Sequence, residues 1–224
     1  MGVPVLVMGY SGSGKSSSLS KFNKSEIGIF SVAGKRLPFR NDLNVVDMER
    51  KQFEYAQKEQ RLNPYGYIIG AMKSSAIKCF AIDDSQYLMS FEEMDSTKTG
   101  FDKFNSIGFN FVGLVRCVRS QLPEDTIVYF LHHPELDESG RLKPKTIGKL
   151  IDNHYTLEGL FEVVIFADYD KGNYVFRTRT DGLTPFKNPP EMLPDVMPND
   201  LKAVDAAIRD YWGMEPLGGV EDGE

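Results

Sequence analysis

The sequence predicts an α/β domain with a mainly parallel central sheet, helices on both faces and an antiparallel hairpin near the carboxyl end. Short apolar runs rich in β-branched residues alternate with stretches of helix formers as far as residue 131. Two later runs, "LFEVVIFADY" and "NYVFRTRT", are separated by "DKGN", which is typical of a tight turn between antiparallel strands. A chain of 224 residues with 41% hydrophobic content can bury one core of this size. We therefore expect a single domain over residues 1–213 and an acidic flexible tail over 214–224.

The elements are predicted in order from their composition and from the turn residues that bound them. The run "VPVLVM" (3–8) is short, apolar and ended by Gly9, as in a strand buried on both faces, and a helix is expected to start near Lys15. The helix formers of 47–62 are followed by "NPYG", a turn signal, and the polar stretch 90–105 is interpreted as a loop. The remaining predictions are strands at 27–30, 43–46, 77–84 and 126–135, helices at 107–122 and 199–212, and a basic hinge at 140–149.

Composition excludes several classes of protein. The net charge of −6 and the pI near 5.2 exclude a global positive field, so any contact with nucleic acid has to be local. Cys79 and Cys117 lack metal-ligand or disulfide-framework spacing and are interpreted as core residues in a reducing compartment. No apolar run approaches the ~18 residues of a membrane span, so we expect a cytoplasmic protein that does not enter a membrane.

The stretch "GYSGSGKSSS" (9–18) carries the clearest chemical signal. Gly9, Gly14, Lys15 and Ser16 satisfy the pattern G-x-x-x-x-G-K-[ST] between a predicted strand and a predicted helix. Glycines allow a tight turn whose N–H groups point at phosphate oxygens, Lys15 can reach the β- and γ-phosphates, and Ser16 can bind Mg²⁺. The alternative is a surface turn of small residues. The predicted nucleotide-binding residues are Gly9, Ser11, Gly12, Ser13, Gly14, Lys15, Ser16 and Ser17.

Two acids follow the apolar strand of "CFAIDD". Asp83 would stand at the carboxyl edge of the sheet, where α/β sheets bind ligands, and could complete the metal site begun by Ser16. Asp84 could orient or deprotonate the attacking water. The alternative is that both acids cap a turn.

Further candidates for catalysis end the next strand and follow it. His132 is predicted to stand beside the γ-phosphate, with His133 as the alternative, since side chains alternate along a strand. Lys145 and Lys149 belong to the densest basic cluster and could act on a phosphate across a subunit interface. The alternatives are a strand-end histidine exposed to water and a solvated basic loop. Basic and aromatic residues are interleaved between 98 and 119, a pattern that can hold single-stranded DNA. We expect the loop 90–105 to be the DNA contact and Phe109 and Phe111 to be core residues.

In their order along the chain these motifs resemble those of the RecA-type P-loop ATPases. More narrowly, the chain is similar to small phage-encoded ATP-binding proteins that include the Sak-type single-strand annealing ATPases. Segments "VAGKRLPF", "FAIDDSQYLM", "VYFLHHPE" and "KTIGKLID" occur in the expected order. The resemblance implies a RecA-like fold, ATP and Mg²⁺ as ligands and assembly into a ring or filament. It also implies a role in phage recombination or replication in the host cytoplasm, often beside a single-strand DNA-binding protein.

Position by position, the resemblance supports Gly14, Lys15 and Ser16 at phosphate and metal, and Asp83 at metal. The chain departs from it at one point. RecA-type enzymes commonly place a catalytic glutamate after the second strand, and "IGIFSVAGKR" has none. Either Asp84 or an acid such as Asp47 replaces it, or hydrolysis is slow.

We therefore expect a Mg²⁺-dependent ATPase that binds single-stranded DNA as an oligomer and promotes annealing or strand exchange. The alternative is a nucleotide-gated adaptor that recruits replication or recombination partners with little turnover. A small-molecule kinase would share the phosphate loop but needs a lid with several arginines, and the segment 140–149 has one.

Overall fold

The computed structural model describes residues 1–96, 101–148 and 156–218 and confirms an α/β architecture with a mostly parallel central sheet flanked by helices. The strands are β1 Val3–Met8, β2 Gly28–Ser31, β3 Asn44–Asp47, β4 Cys79–Asp83, β5 Ile127–His132, β6 Pro134–Leu136, β7 Leu142–Pro144, β8 Val163–Asp170, β9 Asn173–Arg177 and β10 Val196–Pro198. The helices are α1 Met48–Ala56, α2 Pro64–Ser74, α3 Tyr87–Asp95, α4 Phe101–Gln121 and α5 Leu201–Trp212, with short 3₁₀ helices at Ser16–Lys21 and Leu157–Leu160.

In the described part of the chain the central sheet has eight strands in the order β10-β9-β8-β1-β5-β4-β2-β3. The strands from β8 to β3 run parallel, and β9 is antiparallel to both of its neighbours, as the hairpin signal predicts. Strand β5 lies between β1 and β4, and the register pairs Met8 with His132 and Ser31 with Asp83. The carboxyl ends of β1, β5, β4 and β2 therefore lie side by side along one edge.

Two apolar layers cover the sheet, one on each face. Leu6 and Met8 of β1 join a cluster with residues of α1 to α4, whereas Val5 and Val7 join a cluster with the first 3₁₀ helix and α5. All four side chains are fully buried. This two-sided burial explains the continuous apolar runs of the central strands, because neither face of a parallel sheet covered by helices on both sides is exposed to solvent.

The expectation of a loop over 90–105 is wrong for the residues that the structure describes. Helix α3 extends to Asp95 and α4 begins at Phe101, while 97–100 lie outside the described residues. The polar residues of this stretch include strong helix formers such as Glu92 and Glu93, and α3 buries Leu88 and Met89 against the sheet. Local polarity indicated a loop, whereas burial of one apolar face stabilises a helix.

Helix α2 is missing from the sequence-based expectation, because "NPYG" was interpreted only as a turn that ends the preceding helix. Asn63 instead caps a new helix, its side-chain oxygen accepting a hydrogen bond from the Gly66 N–H at 3.1 Å. Pro64 follows in the first turn, where a missing N–H costs nothing. Ile68 and Met72, one turn apart, are buried beneath α4 and the sheet.

The helix expected to start near Lys15 is present as a six-residue 3₁₀ helix, Ser16–Lys21. One connection differs from expectation. The basic segment 140–149 is not simply a hinge, because β7 pairs with β6 in a separate two-stranded antiparallel sheet. Residues 149–155 lie outside the described chain.

The carboxyl-terminal helix is confirmed, with both ends set by caps. The Asp200 carboxylate accepts from the N–H groups of Lys202 and Ala203 at 3.0 and 3.2 Å. Gly213 ends the helix with φ 64°, a left-handed conformation that glycine adopts without strain. Met214 and Leu217 beyond it pack on the core, and 219–224 lie outside the described residues.

The two cysteines, Cys79 and Cys117, are buried and unpaired, as expected of core residues. Within the described ranges, the chain has no helix with the length and apolarity required to cross a membrane.

Candidate functional site

The glycine-rich loop joins β1 to the first 3₁₀ helix at the carboxyl edge of the sheet. Gly12 and Gly14 have φ values of 79° and 92°, a region that favours glycine. A Cβ on Gly14 would lie 2.8 Å from Cδ1 of Tyr174 in β9, so a side chain there would collide with the hairpin. The glycine at this position is required both by the backbone and by the neighbouring strand.

Lys15 is buried within this loop and is 6% exposed. Its Nζ donates to the carbonyl oxygens of Gly9 at 2.6 Å and Tyr10 at 3.0 Å. Burial lowers the pKa of Lys15 from 10.5 to about 8, and the nearby carboxylates of Asp84 and Asp83 oppose that shift only in part. The loop thus holds an ammonium group whose hydrogen bonds go to neutral carbonyls, a costly arrangement that an anionic ligand would relieve.

Ser16 and Asp83 meet although 67 residues separate them in sequence. The Ser16 Oγ lies 2.9 and 3.0 Å from the two carboxylate oxygens of Asp83 and donates its proton there. Burial raises the pKa of Asp83, while the hydrogen bond from Ser16 and the charge of Lys15 act in the opposite direction. The two residues predicted as metal ligands are therefore in direct contact.

The donor set fits Mg²⁺ in particular. A hydroxyl and a carboxylate are hard oxygen ligands, and Mg²⁺ characteristically takes one or two protein groups together with water and substrate phosphates. Over the described ranges no group of three or more His, Cys, Asp or Glu side chains is arranged to hold a metal. A Mg²⁺ ion bound by Ser16 and Asp83 would need further oxygen ligands, such as water or phosphate oxygens.

Asp84 has a strained backbone and a fully engaged carboxylate. Its φ of 58° is unusual for a residue other than glycine and costs of order 1 kcal/mol. The carboxylate lies 2.8 Å from Lys35 Nζ and 3.3 Å from His133 Nε2. Burial raises the pKa of Asp84, but the hydrogen bonds and charges of His133 and Lys35 outweigh burial and hold it well below its usual range. Asp84 is consequently ionised and, in this arrangement, a weak base.

Sequence reasoning missed Lys35, which lies in the loop after β2. Its backbone oxygen accepts from Ser31 Oγ at 3.1 Å, and its Nζ stands 5.4 Å from the ring centre of Tyr87. The pairing of Ser31 with Asp83 in the β2–β4 register brings this loop to the site. The available signal was a basic residue four positions after a buried strand, at the sheet edge that already carried the motif.

Asp47, the alternative acid, is placed elsewhere. Its side chain accepts from the Arg50 N–H at 2.9 Å and caps α1. It ends β3, which β2 separates from β4. Asp84 is the acid that lies beside Asp83 and Lys35.

The two histidines have different surroundings. His132 is fully buried, with Nδ1 2.9 Å from Ser85 Oγ and Nε2 2.7 Å from the Lys145 carbonyl. Because a carbonyl only accepts, Nε2 carries the proton and Nδ1 accepts from Ser85. Burial lowers the pKa of His132 to about 4. Both ring nitrogens of His132, which was predicted as the phosphate sensor, therefore form hydrogen bonds within the protein. His133 is the histidine that faces Asp84.

The predicted lysines of the basic segment are placed only in part. The Lys145 side chain is exposed, while its N–H donates to the His133 carbonyl at 2.9 Å. A Cβ on Gly148 would lie 2.7 Å from Cβ of Phe104, so the backbone at this glycine approaches α4 closely. Lys149 lies outside the described residues.

The other predicted serines of the glycine-rich loop and two phenylalanines of α4 differ in their exposure to solvent. Ser11 is exposed, Ser17 is half-buried, and the buried Ser13 hydroxyl has no hydrogen-bond partner in the described chain. Phe111 is fully buried in the core, whereas Phe109 is 62% exposed on the outer face of α4.

A scan against protein-family models and a search of curated proteins each find no match to this chain. The function has to be argued from the motif and the geometry of the site.

Proposed function

We propose that the chain is a Mg²⁺-dependent ATP-binding protein and ATPase with a RecA-like P-loop domain. We further propose that it acts as an oligomer on single-stranded DNA in phage recombination or replication, promoting annealing or strand exchange. The observation that carries the nucleotide site is the contact between Ser16 and Asp83 beside the buried ammonium of Lys15. A glycine-rich turn, a cation, a hydroxyl and a carboxylate are the groups that phosphate and Mg²⁺ together require.

Each group has a role that its position supports. The N–H groups of the loop and Lys15 would bind the phosphates, Lys15 exchanging two carbonyl acceptors for phosphate oxygens. Ser16 and Asp83 would hold Mg²⁺, which bridges phosphate oxygens and neutralises their charge. Asp84, beside Asp83, would orient the attacking water.

The sheet topology supports this placement. Ligands of open parallel sheets bind at the carboxyl ends of the strands. The loop after β1, the acids at the end of β4 and the histidines at the end of β5 all lie on that edge.

The DNA-directed part of the proposal is supported by the resemblance of the motifs. The net charge of −6 means that single-stranded DNA would be bound at a local site, with a single-strand DNA-binding protein as a further partner. Lys145, whose side chain is exposed, is a cation that a neighbouring subunit could present to this site, and Lys149 is proposed with it.

A second candidate function is favoured by the state of Asp84. Because Lys35 and His133 already occupy its carboxylate, Asp84 is poorly prepared to accept a proton, and turnover would be slow. A nucleotide-gated adaptor would bind ATP, change its assembly or partner affinity, and hydrolyse little.

The proposal is tested by phosphate release from Mg²⁺-ATP, with and without single-stranded DNA, over a range of protein concentrations. DNA stimulation that increases with protein concentration supports the assembling ATPase, and slow release indifferent to DNA supports the adaptor. Lys15→Ala should abolish nucleotide binding, whereas Lys21→Ala, at an exposed lysine of the following 3₁₀ helix, should not. Unchanged ATP affinity in folded Lys15→Ala would contradict the site.

A further inference from the structure

Lys35 is a second ammonium group at the site, and the glycine-rich motif does not account for it. Its side chain is 62% exposed, and its Nζ lies 2.8 Å from Asp84 Oδ2. Asp84 also lies near Lys15, whose ammonium it stabilises, and the charge of Lys35 itself disfavours that ammonium. The two lysines thus approach the same acidic pair from two loops, one after β1 and one after β2.

The backbone of Lys35 is held firmly at this position. The Val32 N–H donates to the Asp83 carbonyl at 3.1 Å, and Ser31 Oγ donates to the Lys35 carbonyl at 3.1 Å. Gly34, with φ 62°, provides the turn between them. The ammonium can therefore change partner by rotation of its side chain without movement of the loop.

We propose that Lys35 breaks its ion pair with Asp84 and binds the terminal phosphate of a nucleoside triphosphate held by the loop 9–16. This inference rests on the proposed function, since it requires a nucleotide in that loop. It makes Lys35 the residue by which the site distinguishes a triphosphate from a diphosphate.

Charge favours this change of partner. A terminal phosphate placed beside Asp83 and Asp84 adds negative charge at a point where, among the described residues, Lys15 is the buried cation that meets it. An ammonium at the edge of the site stabilises that phosphate as a compact point charge and is more strongly attracted to a dianion than to one carboxylate. A diphosphate held by the same loop ends one phosphate short, so Lys35 would remain on Asp84.

The neighbouring residue offers a matched control. Arg36 is also basic and exposed and follows directly in sequence, but it forms no ion pair with the described residues. Replacing Lys35 or Arg36 by Gln removes the same formal charge from the same loop, so general electrostatic effects are equal in the two variants.

The experiment compares wild type, Lys35→Gln, Lys35→Arg and Arg36→Gln by isothermal titration calorimetry. The ligands are Mg²⁺-ADP and a non-hydrolysable Mg²⁺-ATP analogue, and circular dichroism first verifies that each variant is folded. We expect Lys35→Gln to lose about tenfold in affinity for the triphosphate, the scale of one charge-assisted hydrogen bond, and to keep its ADP affinity. Lys35→Arg should retain most of the preference, and Arg36→Gln all of it.

Two results would overturn the inference about Lys35 and leave the proposed function intact. One is an unchanged ratio of triphosphate to diphosphate affinity in Lys35→Gln. The other is an equal loss for both nucleotides, which would mean that Lys35 only positions Asp84 and the loop. A wild-type protein that binds neither nucleotide overturns the proposed function itself, and this failure is seen before any Lys35 variant is measured.

Discussion

Replacing Lys15 by Met should stabilise the ligand-free protein while removing nucleotide binding. Methionine has nearly the same length, carries no charge, and fits a site that is 6% exposed. The difference between 10.5 and about 8 in the pKa of Lys15 corresponds to a cost of about 3 kcal/mol for the buried ammonium at pH 7. Two loop carbonyls lose a donor, at about 1 kcal/mol each. The expected net gain is about 1 kcal/mol.

The assay is thermal unfolding followed by circular dichroism at a series of pH values. For a chain of 224 residues, a gain of about 1 kcal/mol raises Tm by roughly 2–4 °C at pH 7. The folded-state pKa of Lys15 is the lower one, so the unfolded chain holds this proton more tightly and wild-type stability rises as pH increases. The advantage of Lys15→Met should therefore shrink between about pH 8 and pH 10.5, the two pKa values of Lys15.

Lys21→Met is the control, because Lys21 is an exposed lysine in the same segment and should change Tm little. Adding Mg²⁺-ATP should stabilise wild type and leave Lys15→Met unaffected, since only a protein that binds the ligand gains from it. A Lys15→Met variant that melts below wild type at pH 7, or whose advantage grows with pH, would refute the reasoning.

Three further predictions concern other buried groups. Burial lowers the pKa of His132 from 6.5 to about 4, so on acidification the unfolded chain binds this proton before the folded chain does. The free energy of unfolding should therefore fall by up to about 3 kcal/mol as the pH decreases from 6.5 to about 4. Urea unfolding should show this dependence in wild type, with that part of it absent in His132→Gln. Arg209→Met, which leaves the buried Asp205 carboxylate without its cation, should cost about 3–5 kcal/mol in the same assay. Gly14→Ala should lower Tm more than Gly12→Ala, because both have left-handed φ values but only Gly14 has neighbours within 4 Å of an added Cβ.

Each of these three has a clear contrary result. A pH dependence unchanged in His132→Gln would show that another group produces it. A fully stable Arg209→Met would show that the carboxylate is protonated or solvated at no cost. Equal losses in the two glycine variants would show that backbone strain alone, and not the contact with Tyr174, sets the cost.

The strands were predictable because their signal is local. The runs that form β1, β4 and β5 are continuous and apolar, and each is buried on both sheet faces. The hairpin of β8 and β9 was predictable from its turn residues. Helix boundaries were harder to predict from sequence. Helix α2 begins at a proline that was interpreted as a turn, and the few buried apolar residues of α3 adjoin a mostly polar stretch. Their stability comes from packing against strands remote in sequence.

By itself the sequence determined the residues that we propose for a phosphate and its metal, because a glycine-rich turn, Lys15 and Ser16 are contiguous and Asp83 ends an apolar strand. Tertiary structure alone decided which acid and which histidine join them. Asp84, not Asp47, pairs with Lys35 from the loop after β2, and His133 rather than His132 faces Asp84. The physical reason is that the order and register of parallel strands, which bring these loops to one edge, arise from burial across the whole sheet and not from any local pattern.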